Sequence, residues 1–409
     1  MTTKRWEEQR WILDSIIQTV GVEWDQARLA YTMAPCGPDA VPDFMSVRMR
    51  VKKFADIDRE FAAAARRRED KARRYESAGG LASARESYFI AAQLWGAARW
   101  PIFENNPTVI AYNDHMNQCY GKFVEYAPHP IERVEVPFGD KSLPAYLHLP
   151  HEPAPGEKFP CVLSVDGMDA SKEIMCSMYG DKLLERGLAS FCMDGPGQGE
   201  CCIRNIHVTA TNHMDSGRAA FDWLSQHPHI DPERILVSGV SFGSYFGTQM
   251  AAALGDRVKG CAVQLVCHEP GANTIFNLAS PTFKMRFMYM AGITDEAQFD
   301  RFARDFNLLP IAGDVKCPYL VIAGGDDELS PIEHTYRLLD AMRCPKQLVV
   351  YEGEKHGIGG APSAQMGDNP AVILADWLRD RADGKELTSA KMLIDSTGRA
   401  HISSFEETH

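Results

Sequence analysis

The chain lacks any apolar run approaching the roughly 18 residues a membrane-spanning helix needs, so no such helix is expected. Its start has no apolar stretch of the secretory kind. Lys4, Arg5 and Trp6 run straight into Glu7 and Glu8. Basic residues are outnumbered: 43 Lys and Arg face 55 Asp and Glu, a net charge of −12. Nucleic acid is therefore excluded as a main partner, because phosphate binding needs a basic face. The 11 cysteines are odd in number and show no C-x-x-C spacing, which argues against a zinc centre or a redox pair. Reduced thiols in a cytoplasmic protein are the expectation. Internal repeats and low-complexity tracts are also missing. What remains is an ordinary globular composition, 45% hydrophobic and 24% charged, over 409 residues. That is enough chain for roughly two to three domains.

Periodicity divides the chain near residue 130. Before it the pattern is helical. Trp11, Ile12, Ser15, Ile16 and Thr19 recur at helical spacing, as do Val51, Phe54, Ile57 and Phe61. Gly79-Gly80 breaks the run, and Leu81 to Arg99 resumes it until Trp100-Pro101 ends it. Arg66-Arg67-Arg68, balanced by Glu69 and Asp70, reads as a solvated helix face rather than an anion site. From Ile131 the period shortens. Two alternating segments flank Gly139-Asp140, a hairpin signal. Apolar runs then alternate with helical stretches such as Lys172 to Arg186, Phe242 to Ala253 and Ala371 to Asp383. This is the pattern of a mostly parallel sheet covered on both faces, an α/β fold. The expected division is a helical cap or dimerisation domain at 1–130 and a catalytic α/β domain at 131–385. A cap insertion is expected at about 270–315, too long for a simple connection. The tail at 386–409 carries no clear pattern.

One short motif carries most of the chemistry. In Gly239-Val240-Ser241-Phe242-Gly243 a serine stands between an apolar strand and an amphipathic helix. A strand-to-helix turn of this kind presents the hydroxyl at the carboxyl edge of a sheet, where the helix N-terminus favours developing negative charge. A mere helix-capping serine is the alternative. A nucleophile there needs an acid and a histidine downstream, in that order. Strand 318–323 is followed by Gly324-Gly325-Asp326-Asp327-Glu328. Asp327 is favoured as the acid for its Gly-x-x-Asp spacing from Gly324, with Asp326 next and Glu328 third. His356 lies beyond the following strand, beside Gly357. His334, His227 and His229 are placed less well. The amides of Phe242 and of Met168, the latter after strand 160–165, are the expected oxyanion donors. Asp194-Gly195-Pro196-Gly197-Gln198-Gly199 reads as a tight turn, since it lacks the lysine of a phosphate-binding loop. No cofactor or metal is expected.

Taken together, these motifs resemble the α/β-hydrolase superfamily over about 131 to 385. Ala78 to Tyr88 and Ala91 to Trp95, ending at Trp100-Pro101, are similar to the helical domain of a narrower group. That group holds 2,6-dihydroxypseudooxynicotine hydrolase, the fungal heptaketide hydrolase and the FrsA-like esterases. The resemblance implies a Ser241–Asp327–His356 triad and cleavage of a carbon–carbon bond beside a ketone in an aromatic or polyketide-like small molecule. Carboxylester hydrolysis by the same residues is the second expectation, and ligand binding without catalysis the third. The resemblance also points to His268 and Glu269 near the substrate, with an ion-paired structural role as the alternative, and to a homodimer through the N-terminal helices. Phe287 and Tyr289 are expected to line an apolar pocket.

Overall fold

The computed structural model describes residues 1–178, 181–269 and 274–405. Its N-terminal part is helical: α1 (Lys4–Val20), α2 (Arg28–Met33), α3 (Val41–Arg50), α4 (Ile57–Ser77), α5 (Leu81–Arg99) and α6 (Pro107–Glu125). In α5 the small residues Ala84, Ala91, Ala92 and Ala98 are buried with Tyr88, Leu94 and Trp95. Small side chains let α4 and α6 approach α5 on two sides. The expected stripe on α1 faces the wrong way. Trp11, Ile12 and Ile16 are exposed, while Trp6, Leu13 and Ile17 pack inward. Sequence spacing identifies helical faces but does not say which one the neighbouring helices cover. On α4, Arg68 and Glu69 are buried rather than solvated. Arg68 holds Asp39 and Asp43, and Glu69 accepts the indole N–H of Trp95.

The rest of the chain winds around one sheet of ten strands. They are β1 (Ile131–Phe138), β2 (Lys141–His148), β3 (Phe159–Val165), β4 (Ala189–Met193), β5 (Ile230–Val240), β6 (Cys261–Gln264), β7 (Tyr319–Gly324), β8 (Lys346–Tyr351), β9 (Ala390–Ile394) and β10 (Ala400–Ser403). Their order across the sheet is β1-β2-β4-β3-β5-β6-β7-β8-β9-β10. The β1–β2 hairpin and the β10 edge are antiparallel, and β4-β3-β5-β6-β7-β8-β9 run parallel. Strand β3 is buried at every position, as expected for a strand covered on both faces.

Connecting helices are α7 (Lys172–Met175), α8 (Gly199–Ile203), α9 (Asn212–Gln226), α10 (Phe242–Leu254), α11 (Pro281–Ala291), α12 (Glu296–Ala303), α13 (Ile332–Ala341), α14 (Pro362–Met366) and α15 (Pro370–Ala382). Helices α11 and α12 fall in the expected insertion. The segment without a clear pattern, 386–409, supplies β9 and β10 to the sheet edge. The short amphipathic signal there was masked by polar residues, because an edge strand needs little burial.

Of the helix expected over Lys172 to Arg186, residues 179 and 180 lie outside the described residues, and the described remainder holds one short α-helix, Lys172–Met175, and a separate 3-10 turn at Leu184–Arg186. Lys172 explains its anchored start. Its fully buried ammonium meets Glu173 at 2.6 Å, Asp194 at 3.1 Å and Glu200 at 3.0 Å. Replacing Lys172 with Met takes the cation from buried Glu173 and Asp194, while Glu200 keeps Arg133 and Arg204. Loss of about 3–5 kcal/mol of stability is expected. Urea unfolding checks it; an unchanged midpoint would mean the carboxylates are compensated without the lysine.

Candidate active site

The carboxyl ends of β3, β5, β7 and β8 converge on one place. Strand β5 ends at Val240, and Ser241 follows with φ 55° and ψ −126° before α10 begins. A non-glycine residue at positive φ is costly and persists only where its surroundings enforce it. The flanking glycines show how tightly the bend is folded. A Cβ on Gly239 would lie 2.1 Å from the Gly243 carbonyl oxygen, and one on Gly243 would lie 2.3 Å from that of Val165. Neither position can carry a side chain without opening the turn.

The Ser241 Oγ lies 2.9 Å from His356 Nε2, and His356 Nδ1 lies 2.8 Å from Asp327 Oδ2. The loops after β7 and β8 supply the acid and the imidazole. Of the three carboxylates weighed above, Asp327 is the one bonded to the ring. Asp326 and Glu328 are exposed. The second oxygen of Asp327 accepts the amides of Leu329 and Ser330, at 2.8 and 3.1 Å, which fixes the carboxylate's orientation. The loop carrying His356 is braced by Glu354, whose oxygens accept the amides of Gly360 and Ala361. Burial pushes the His356 pKa down, but the charge and hydrogen bond of Asp327, helped by Glu328 and Asp169, outweigh it and hold the pKa above its ordinary 6.5.

The loop after β3 closes the other side. A Cβ on Gly167 would lie 3.0 Å from the Ser241 Cβ. Gln198 donates its side-chain N–H groups to the carbonyls of Asp166 and Gly167, the latter at 3.0 Å. A trans peptide points its N–H opposite its C=O. With the Gly167 carbonyl held by Gln198, the Met168 N–H therefore faces away from Gln198. Arg286 of α11 holds the Met168 carbonyl at 2.9 Å. The Gly167 amide is taken by Asp166 Oδ1 at 2.6 Å, so it is not a free donor. Phe242, the first residue of α10, has its amide at the helix N-terminus, where no intrahelical acceptor exists.

The four side chains expected near a substrate each have a protein partner in the structure. His268 is fully buried, with Nδ1 at 3.0 Å from Thr335 Oγ1; burial and the neighbouring His334 push its pKa down to about 3 despite Asp327. Glu269 pairs with Arg337 through both oxygens. Phe287 is buried in an aromatic cluster, its ring centre 4.5 Å from that of Phe242. Tyr289 donates to Asn105 at 2.6 Å. The sequence reading did not single out Asp169, which ties the site to the N-terminal helices. Its carboxylate accepts from Trp100 at 2.9 Å, Gln26 at 2.7 Å and Arg28 at 3.1 Å. Gln198 and Arg286 were likewise not singled out, although Gln198 sits in the glycine-rich turn. Among the described residues no cluster of three or more His, Cys, Asp or Glu could hold a metal ion, and no helix is long and apolar enough to cross a membrane.

Comparison with known families settles the lineage. Residues 59–297 match the family model described as "Esterase FrsA-like". The chain belongs to the FrsA-like esterase family. Among curated relatives of this FrsA-like chain, the α/β hydrolase xenA of Xenoacremonium sinensis is 30% identical over 197 residues, 45% of each chain. The 2,6-dihydropseudooxynicotine hydrolase of Paenarthrobacter nicotinovorans is 25% identical over 267 residues, 64% of this chain and 68% of that one. The first two curated relatives are each spanned over only 45% of their own length. The crystal structure of a 2,6-dihydroxy-pseudo-oxynicotine hydrolase superposes with a TM-score of 0.74 at 22% identity, covering 88% of this chain and 97% of that one. The fold is thus that of an α/β-hydrolase, a mostly parallel sheet flanked by helices with a helical N-terminal region.

Proposed function

We propose that this FrsA-like chain is a serine hydrolase in which Ser241 is the nucleophile, His356 the base and Asp327 its orienting acid. The observation that carries the reading is the continuous hydrogen-bonded path from Ser241 through His356 to Asp327, set on a strained turn. His356 takes the Ser241 proton as Oγ attacks a substrate carbonyl. The amides of Phe242 and Met168 receive the oxyanion. A well-placed donor of this kind contributes on the order of 3 kcal/mol to lowering the barrier. Collapse of the intermediate breaks the bond to the leaving group, which takes the proton from His356. Water, deprotonated by His356, then attacks the acyl-serine and releases an acid and the free hydroxyl.

The leaving group decides between two activities. Carbon–carbon cleavage beside a ketone needs a carbanion delocalised into an aromatic ring or a second carbonyl. Relatives named for pseudooxynicotine and 20-hydroxy-prefusarin substrates favour that reading, with an aromatic or polyketide-like substrate. The family's description as esterases favours ester cleavage by the same residues. In both cases residues 1–130, with the segment at about 270–315, form the cap over a catalytic domain that begins at 131. Parallel assays of an aryl 1,3-diketone and a matched aryl ester decide the matter. Turnover of the diketone supports the first activity, and turnover of the ester alone removes it.

The pH dependence follows from the imidazole. Catalysis needs neutral His356, and its pKa is raised, so the protonated and inactive form persists to higher pH than for a free histidine. The acid limb of kcat/KM is expected to have its midpoint above about 6.5. A rate–pH profile flat from pH 5 to 8 would remove His356 from the role.

A further inference from the structure

A small pocket of about 50 Å³, open at its mouth, lies between the helices and the catalytic sheet. It is lined from α2 by Arg28 and Tyr31, from α5 and its end by Gln93, Arg99 and Trp100, and from the loop after β3 by Asp169 to Ser171 and by Ile174. That loop enters the pocket one residue after Met168, and Ile174 packs with Val240, the neighbour of Ser241. Asp169, on the pocket's wall, is also near enough to His356 to help raise its pKa, so the pocket adjoins the triad.

Two cations face this space, and their surroundings differ. Arg28 is shared by Asp25 at 2.7 Å and Asp169 at 3.1 Å. The Asp169 carboxylate in turn is saturated by Arg28, Gln26 and Trp100. Arg99 is just as buried, 6% exposed, yet among the described residues it has no carboxylate partner. Its guanidinium donates to the neutral amide oxygen of Asn113 at 2.5 Å. Buried Arg68, by contrast, holds two carboxylates. Arg99 ends α5, whose C-terminal carbonyls offer about half a unit of negative charge. That is short of a counter-ion, and an uncompensated buried charge is costly enough to need a reason.

The geometry points to an anionic oxygen group on the substrate, a carboxylate or the ionised enol of a 1,3-dicarbonyl, seated against Arg99 while the reacting carbonyl lies at Ser241. A planar guanidinium, of which one nitrogen here donates to Asn113, carries five N–H groups and matches either anion in two-point fashion. Trp100, Phe61, Met116 and Ile174 supply apolar wall for an attached aryl or alkyl group. This inference rests on the hydrolase reading for what the pocket serves, but the binding it requires does not depend on turnover.

Isothermal titration calorimetry of the full chain tests it with three probes of matched shape. These are 3-phenylpropionate, 5-phenylcyclohexane-1,3-dione above its pKa, and neutral 3-phenylpropionamide. At least one anion is expected to bind ten-fold or more tightly than the amide, and which one does so identifies the group. Arg99→Gln is expected to abolish the difference. Arg99→Lys, which keeps the charge but loses the fork, is expected to reduce it and serves if the first variant does not fold. Equal binding of anions and amide by the unaltered chain overturns the inference, as does a preference that survives in Arg99→Gln. Fluorophosphonate labelling of Ser241 on the same sample separates the two readings. Anion binding that depends on Arg99 without labelling sinks the hydrolase assignment and leaves this one. Labelling without anion preference does the reverse.

Discussion

Ser241→Ala is expected to lower kcat by about 10⁴- to 10⁶-fold while the protein folds normally. The lower bound comes from what an intact oxyanion site and bound substrate still accomplish, the upper from removing the nucleophile of a concerted triad. The strained backbone at position 241 is imposed by the close approach of Gly239, Gly243 and the β3 end, none of which the substitution touches. Alanine also fits where the serine Cβ sits against Gly167. Thermal midpoint and circular dichroism are therefore expected to match the parent chain. Initial rates on the better of the diketone and ester substrates, with intact-protein mass after fluorophosphonate treatment, make the check. A variant that keeps near-parent turnover would show that the acyl group is carried elsewhere, and the triad assignment would fall with it.

The same residues show what a sequence can and cannot disclose. The turn at Ser241 was legible because its chemistry demands small residues on both sides of one hydroxyl, and glycine spacing is a local property. The parallel sheet was legible because fully buried strands are written as continuous apolar runs. Asp169 was not, because its partners Gln26, Arg28 and Trp100 lie some 70 to 140 residues away and no periodicity joins them. Arg99 looked like any basic residue in the last turn of a helix. Among the described residues it bonds an amide, Asn113, and no carboxylate, which only packing reveals. The exposed face of α1 and the buried Arg68 fail for the same reason. Helical spacing defines faces, whereas burial depends on what other elements bring to them. The single long-range partners of Glu269 and Tyr289, Arg337 and Asn105, were equally out of reach of sequence spacing.

Asp327→Asn is the second large effect, expected near 10⁴-fold in kcat. Asp327 is buried, and one oxygen accepts the His356 Nδ1–H while the other is held by the Leu329 and Ser330 amides. An amide of the same shape keeps the packing. With its oxygen toward the backbone N–H groups, however, its NH2 faces the ring and Nδ1 must become an acceptor. The proton then sits on Nε2, where it cannot accept from Ser241. Loss of the carboxylate also removes the main influence raising the His356 pKa, so burial alone acts on it and the acid limb of the residual activity is expected to move to lower pH. Asp326→Asn supplies the contrast. Asp326 neighbours Asp327 in sequence, but its side chain is exposed, and a change of less than about three-fold is expected, as for surface positions away from the chemistry. The pair of variants thus converts a one-residue ambiguity in the sequence into a difference of more than a thousand-fold in rate. Equal activity in the two would mean that the imidazole is oriented by something other than the carboxylate it touches.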